Sequence, residues 1–160
     1  TLSPSSAASD VYKRQIPDPI VPGNTVYVVN GYFVTAPDAD GSKGYQWAAD
    51  KSAAVMESDP CAGHGGWRMP TMKDFETMVG WTISKPWSQG STSTIPTDIA
   101  SDKDAWNAAF PYAYTHYWSS VASTSDSDFG WGVVSYGDGT AYYNVATKNG
   151  SYPVRCVQPQ

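Results

Sequence analysis

Hydrophobic and polar positions change period several times along the chain. Residues 25–29 (TVYVV) and 32–36 (YFVTA) flank Asn30-Gly31. Two β-branched and aromatic runs around Asn-Gly predict a hairpin, because both turn residues must reach positive φ. Gln46–Ser58 places Trp47, Ala54 and Val55 on one helical face, and Pro60 ends that helix. A second helix opens at Thr71, whose hydroxyl and the Asp74 carboxylate three residues on form a capping box; Phe75, Met78 and Val79 make its buried stripe. A Ser/Thr/Pro/Gly-rich loop fills 82–97. Ser101 with Asp104 repeats the capping pattern before a short helix carrying Ala105, Trp106 and Ala109. From Tyr117 onward every signal is strand: Tyr117–Val121, Trp131–Tyr136, a Gly137-Asp138-Gly139 turn, Thr140–Ala146, a Lys148-Asn149-Gly150 turn, then Ser151–Val157. These strands predict an antiparallel meander. The fold class is α+β, an antiparallel sheet with two main helices and long loops.

The start of the chain reads differently from the rest. Residues 1–15 show neither strand nor helix period, nor the apolar stretch of a signal peptide. SSAASDVYKRQ resembles the translation of a sequencing adapter at the end of a metagenomic reading frame; the plainer alternative is a Ser/Ala-rich linker. Residues 16–23 (IPDPIVPG) read as a Pro-punctuated linker, and the folded domain is expected over 24–160. A leader for export would lie upstream of Ile16.

Composition narrows the class. The chain has 160 residues, enough for one domain with a core, and its single leucine is Leu2, which argues against a helical bundle. Its 7 Trp, 11 Tyr and 4 Phe must therefore fill a core as well as any binding surface. At 41% apolar and 16% charged it is too aromatic for disorder and too polar for a membrane span. A net charge of −5 leaves no electrostatic footprint for nucleic acid or an anionic membrane.

Signals for catalysis are sparse. No G-x-S-x-G and no H-E-x-x-H occurs. Cys61 and His64 make half a metal site without a second half, and His116 lies among aromatics as a structural or rim histidine. Asp38 with Asp40 and Asp126 with Asp128 are short acidic pairs that lack the further oxygen ligands of a calcium loop. No cofactor is expected, calcium at an Asp pair being the alternative to solvated turn acids. Asn149-Gly150-Ser151 is formally a glycosylation sequon, most simply read as a turn. Cys61 and Cys156 stand 95 positions apart: paired, they would tie the first helix to the last strand, where Tyr152, Val154 and Cys156 share a face; unpaired, they are two buried thiols.

Five motifs in order carry a family resemblance: Gly66–Thr71 (GWRMPT) before a helix, Tyr117–Val121 (YWSSV), Trp131 in the next strand, the Gly-Asp-Gly turn, and Tyr152–Val157 (YPVRCV). Over about Tyr45 to Val157 the chain resembles the Fibrobacter succinogenes major paralogous domain and the C-terminal domain of the Legionella collagen-like adhesin. The resemblance implies a C-type-lectin-like fold, a Cys61–Cys156 bridge like the long disulfide typical of that fold, and structural roles for Arg68, Arg155, Trp67, Pro70, Trp118, Ser119 and Ser120. The calcium tripeptides of animal C-type lectins, Glu-Pro-Asn or Gln-Pro-Asp with Trp-Asn-Asp, are absent. The formylglycine-generating enzymes share this fold superfamily and need a reactive cysteine pair, so a bridged pair argues against their chemistry.

What remains is surface. Tyr and Trp interspersed with Ser, Asn, Asp and Gly resemble a paratope, and Tyr114, Trp131, Tyr136, Asp138, Tyr142 and Asn144 are the expected ligand-binding face at the loop end of the meander. The expected function is non-enzymatic recognition of a glycan or protein ligand by an exported module of a larger bacterial surface or secreted protein. The alternatives are the variable protein of a diversity-generating retroelement and a structural stalk or pilus subunit.

Overall fold

A computed structural model of the chain describes residues 12–36, 44–47, 59–80 and 98–160. Residues 1–11, the pair Asp38 and Asp40, the predicted helix after Trp47 and the predicted loop over 82–97 lie outside the described residues. Within them the order is β1 (Lys13–Pro17), β2 (Thr25–Val29), β3 (Tyr32–Val34), α1 (Met72–Val79), β4 (Asp98–Ile99), α2 (Lys103–Ala109), β5 (Thr115–Ala122), β6 (Phe129–Ser135), β7 (Thr140–Thr147) and β8 (Val157–Pro159). Among the described residues the strands form two four-stranded sheets, β1-β2-β3-β8 and β4-β7-β6-β5, with every pairing antiparallel. None of the described helices is long and apolar enough to cross a membrane.

Local chemistry explains most elements. The β2–β3 hairpin turns on Asn30 (φ 42°) and Gly31 (φ 87°), the positive-φ pair that the strand twist demands. The Asn30 side chain then donates to the Met78 carbonyl at 2.8 Å, tying the hairpin to the end of α1. Helix α1 has its capping box: Thr71 Oγ1 accepts from the Asp74 amide at 3.2 Å and an Asp74 carboxylate oxygen accepts from the Thr71 amide at 2.7 Å. Helix α2 is capped one residue later than its sequence suggests. Asp102 accepts from the Ala105 amide at 3.1 Å, because the Ser101 hydroxyl is taken by the Asn30 side chain at 2.9 Å.

Strand β1 pairs Lys13 with Tyr27 and Pro17 with Thr25, so the first sheet takes in residues on both sides of the boundary drawn at Ile16. The chain's last segment departs from the expected meander. Regular pairing stops at an isolated Tyr45–Tyr152 bridge and resumes only at β8, which pairs with β3 of the N-terminal hairpin. Pro153 supplies no amide for a ladder; its carbonyl accepts from the Trp118 amide at 3.1 Å instead.

The second sheet separates two cores by the parity of its positions. Tyr117, Trp131, Val133, Ala141 and Tyr143 face both helices and pack with Phe75, Trp106, Phe110, Val29 and Val34. Rings do the work that leucine does elsewhere: Trp106 stacks on Phe110 at 4.2 Å, and Phe110 meets Tyr117 edge to face at 5.0 Å. The opposite side of the sheet packs against a smaller core of Tyr45, Trp47, Cys61, Met69, Trp118, Val154 and Cys156. The Cys61–Cys156 disulfide lies in this smaller core, with Cα atoms 5.6 Å apart, and fastens the 59–68 loop to the final segment.

Candidate functional site

The β5–β6–β7 register sets the composition of the sheet's outer face. Ser135 pairs with Ala141, Val134 with both His116 and Tyr142, and Gly132 with both Trp118 and Asn144. Side chains at His116, Val134 and Tyr142 therefore form one row on the face away from the helices, and Trp118 and Asn144 flank the bare Gly132 in the next. Tyr114 and Tyr136 extend the face beyond the strand ends. Tyr114 meets Tyr136 edge to face at 5.3 Å (84°), and Tyr136 lies 5.4 Å from Tyr142 (37°). The three tyrosines thus make one continuous aromatic corner.

Tyr114 is 77% exposed and holds φ at +56°. A bulky residue in the left-handed region is a true outlier, costing about 1–2 kcal/mol that Gly would not incur. The local fold gains little from the ring, which faces water. Burial pushes the Tyr142 hydroxyl above its ordinary value, with nearby Tyr136 adding to it.

The other expected binding residues fall differently. Trp131 is a correction: it is fully buried among the helix-facing residues and has no surface to offer a ligand. The reason is parity, since Trp131 and Tyr136 stand five positions apart and point to opposite sides. Asp138 is exposed in the β6–β7 turn; the Thr140 hydroxyl and amide hold its carboxyl below the usual range, and Lys103 also draws it down. Asn144 is half-exposed, its Oδ1 accepting from the Val145 amide at 2.9 Å.

His116, which the sequence leaves as a structural or rim histidine, is placed by the structure inside the sheet's outer face. It is 6% exposed and neither ring nitrogen has a hydrogen-bond partner. Burial lowers its pKa to about 3. The imidazole lies across Gly132, where a Cβ would come within 2.5 Å of Nε2. It is boxed by Trp118 at 4.9 Å and Tyr152 at 4.9 Å. Alternation from Tyr114 to His116 was the signal that could have found it.

The residues given structural roles sit as follows. Arg68 bonds both carboxylate oxygens of Asp74, which also accepts from the Tyr32 hydroxyl at 2.6 Å. Burial pushes the Asp74 carboxyl up, but the Arg68 bonds, the Tyr32 hydroxyl and the Thr71 amide outweigh it and hold the carboxyl at about 2. Arg155 is buried, with Nε donating to the Ala109 carbonyl at 3.3 Å and the guanidinium over Tyr117 at 5.1 Å. Trp118 Nε1 donates to the Tyr45 carbonyl at 2.7 Å, Ser119 Oγ to the Trp131 carbonyl at 2.8 Å, and the Ser120 amide to the Pro70 carbonyl at 2.9 Å. Trp67 packs half-buried against the smaller core.

A separate open concavity of about 410 Å³ is lined by Asp59, Cys61, His64, Trp67 and Arg68 with the glycines between them. Its chemistry is already committed: Cys61 is in the disulfide and Arg68 holds Asp74. Asp126 accepts from the Asp128 amide at 2.9 Å, closing an exposed turn. Among the described residues no group of three or more His, Cys, Asp or Glu side chains converges as metal ligands.

Compared with known proteins, the chain matches the family model of the Lcl C-terminal domain over residues 27–158. No curated protein and no solved structure matches it.

Proposed function

We propose that this chain, which belongs to the Lcl C-terminal domain family, is an adhesin-like recognition module that holds its external ligand, a glycan or a protein, on the Tyr114–Tyr136–Tyr142 face. The observation that carries the reading is Tyr114, a ring exposed to water on a strained backbone, continuous with two further half-buried rings. Strain kept for a ring whose single edge-to-face contact does no more than offset it points to a role outside the fold. Rigid tyrosines give contact area at low entropy cost, which suits recognition.

In this reading the domain is C-type-lectin-like, works outside the cell, and uses neither catalysis nor a resident metal. Pairing of the N-terminal hairpin with β8 and the bridge from loop to final segment support the lectin-like arrangement. The disulfide also supports export, and by occupying Cys61 and Cys156 it argues against copper and oxygen chemistry at a cysteine pair. Tyr114→Ala and Tyr142→Ala in the full chain, probed on glycan arrays and immobilised matrix proteins, are the test. Binding that falls with both variants while their thermal midpoints hold supports the reading; binding untouched by both overturns it.

A further inference from the structure

His116 is hard to account for as a packing residue. A buried polar group without a partner is destabilising, and an apolar ring of similar shape would fill the same space without that cost. Among the described residues its surroundings carry no charge that could compensate: the groups facing it are the Trp118 and Tyr152 rings, Gly132 and the Val134 cross-strand neighbour. The imidazole occupies the hollow over Gly132, on the same side of the sheet as the three tyrosines. One row away lie Tyr114 and Tyr136, and Tyr142 stands in its own row beyond Val134. The half-buried Tyr152 ring lies against it at 4.9 Å and meets Trp118 edge on at 5.2 Å, so it is the side chain that covers the imidazole.

We propose that His116 is the polar floor of the binding site, reached when the Tyr152 ring turns aside, and that the ligand is a neutral sugar whose hydroxyl bonds the imidazole while its ring stacks on the tyrosines. The proposal rests on the tyrosine face being the ligand site. The chemistry selects the class. A neutral imidazole offers one N–H donor and one nitrogen acceptor, and a hydroxyl satisfies whichever is uncovered because it both donates and accepts. Among the described residues an anionic ligand meets no cation at the imidazole, and a bare cation would leave the N–H donor unmet. Aromatic faces with a few placed polar groups are the usual make-up of small-molecule sites.

The test uses the full chain labelled with nitrogen-15, with the imidazole signals of His116 and His64 told apart through His64→Gln. Cellohexaose, xylohexaose, mannohexaose and chitohexaose are titrated in turn. At least one is expected to move the His116 nitrogens, and His116→Phe to weaken that sugar about tenfold, the worth of one hydrogen bond, without lowering the thermal midpoint at pH 7. His116→Gln, which keeps a donor and an acceptor, is expected to lose less. The inference fails if none of the sugars moves the His116 nitrogens, or if a sugar that binds keeps its affinity in His116→Phe. Should that sugar still weaken in Tyr114→Ala, the face stands and only the floor is lost; should Tyr114→Ala also leave it unchanged, the face falls with it. Displacement of the His116 signals by a lysine-rich or acidic peptide but by no sugar would overturn the ligand class.

Discussion

Replacing His116 by Phe is expected to remove a large part of the chain's acid sensitivity. In the unfolded chain the imidazole titrates near its ordinary 6.5; in the fold, burial keeps it neutral down to about 3. Below pH 6.5 the unfolded state therefore binds a proton that the folded state does not, and stability falls as pH falls. The stabilisation is complete above about 6.5 and is lost progressively until the folded group itself titrates near 3. At pH 4.5, two units below the unfolded value, the loss is about 2.7 kcal/mol. That is a sizeable share of the 5–15 kcal/mol that holds a typical domain together.

Urea unfolding at pH 7.0 and 4.5, in wild type and His116→Phe, isolates this contribution. Carboxylates titrate alike in both chains and cancel in the double difference. At pH 7.0 the variant is expected to be as stable as wild type or more so, since an unpaired polar group is exchanged for an apolar ring. Between the two pH values wild type is expected to lose about 2.7 kcal/mol more than the variant. A double difference under about 0.5 kcal/mol, or imidazole carbon shifts showing a protonated His116 in the folded chain at pH 4.5, refutes the reasoning, because either means that the ring has a partner or water.

Three further outcomes follow from other contacts. Tyr114→Gly relieves the left-handed backbone and forfeits the ring contact with Tyr136, two effects of about 1 kcal/mol each and opposite sign, so unfolding free energy is expected to change by less than about 1 kcal/mol while ligand binding is lost; a loss beyond 2 kcal/mol would mark the ring as structural. Asp74→Asn breaks the Arg68 pair and half of the α1 capping box, at a cost of about 2–3 kcal/mol by denaturant titration at pH 7. Because Asp74 is held at about 2 in the fold, its stabilisation is present above its ordinary 3.8 and is lost as pH falls toward 2, so the wild-type decline over that window, about 2 kcal/mol, is expected to flatten in the variant. Cys156→Ser opens a loop spanning 95 positions and is expected to cost roughly 4–5 kcal/mol, while thiol titration of the denatured, unreduced wild-type chain is expected to find none.

The parts of this fold that were legible in the sequence are those fixed by neighbours a few residues away. Asn30-Gly31 turns the hairpin, Thr71 and Asp74 cap α1, and Phe75, Met78 and Val79 line its inner side because each depends on local spacing alone. The β3–β8 pairing was not legible, since it joins segments more than a hundred residues apart and Pro153 interrupts the strand pattern that would have announced the approach. The displaced cap of α2 has the same origin: the Ser101 hydroxyl is claimed by Asn30, a residue distant in sequence. In a chain with a single leucine, aromatic rings must serve both interior and surface, so composition cannot tell Trp131 from Tyr136. Parity can. Once the Gly137-Asp138-Gly139 turn sets Ser135 opposite Ala141, every even position from Gly130 to Tyr136 shares a face with Tyr142 and Asn144, and every odd one joins Tyr143 against the helices. The same bookkeeping places His116 beside Val134 and makes Gly132 the gap it leans into, so register decides for the buried position where residue type left a structural or a rim histidine open.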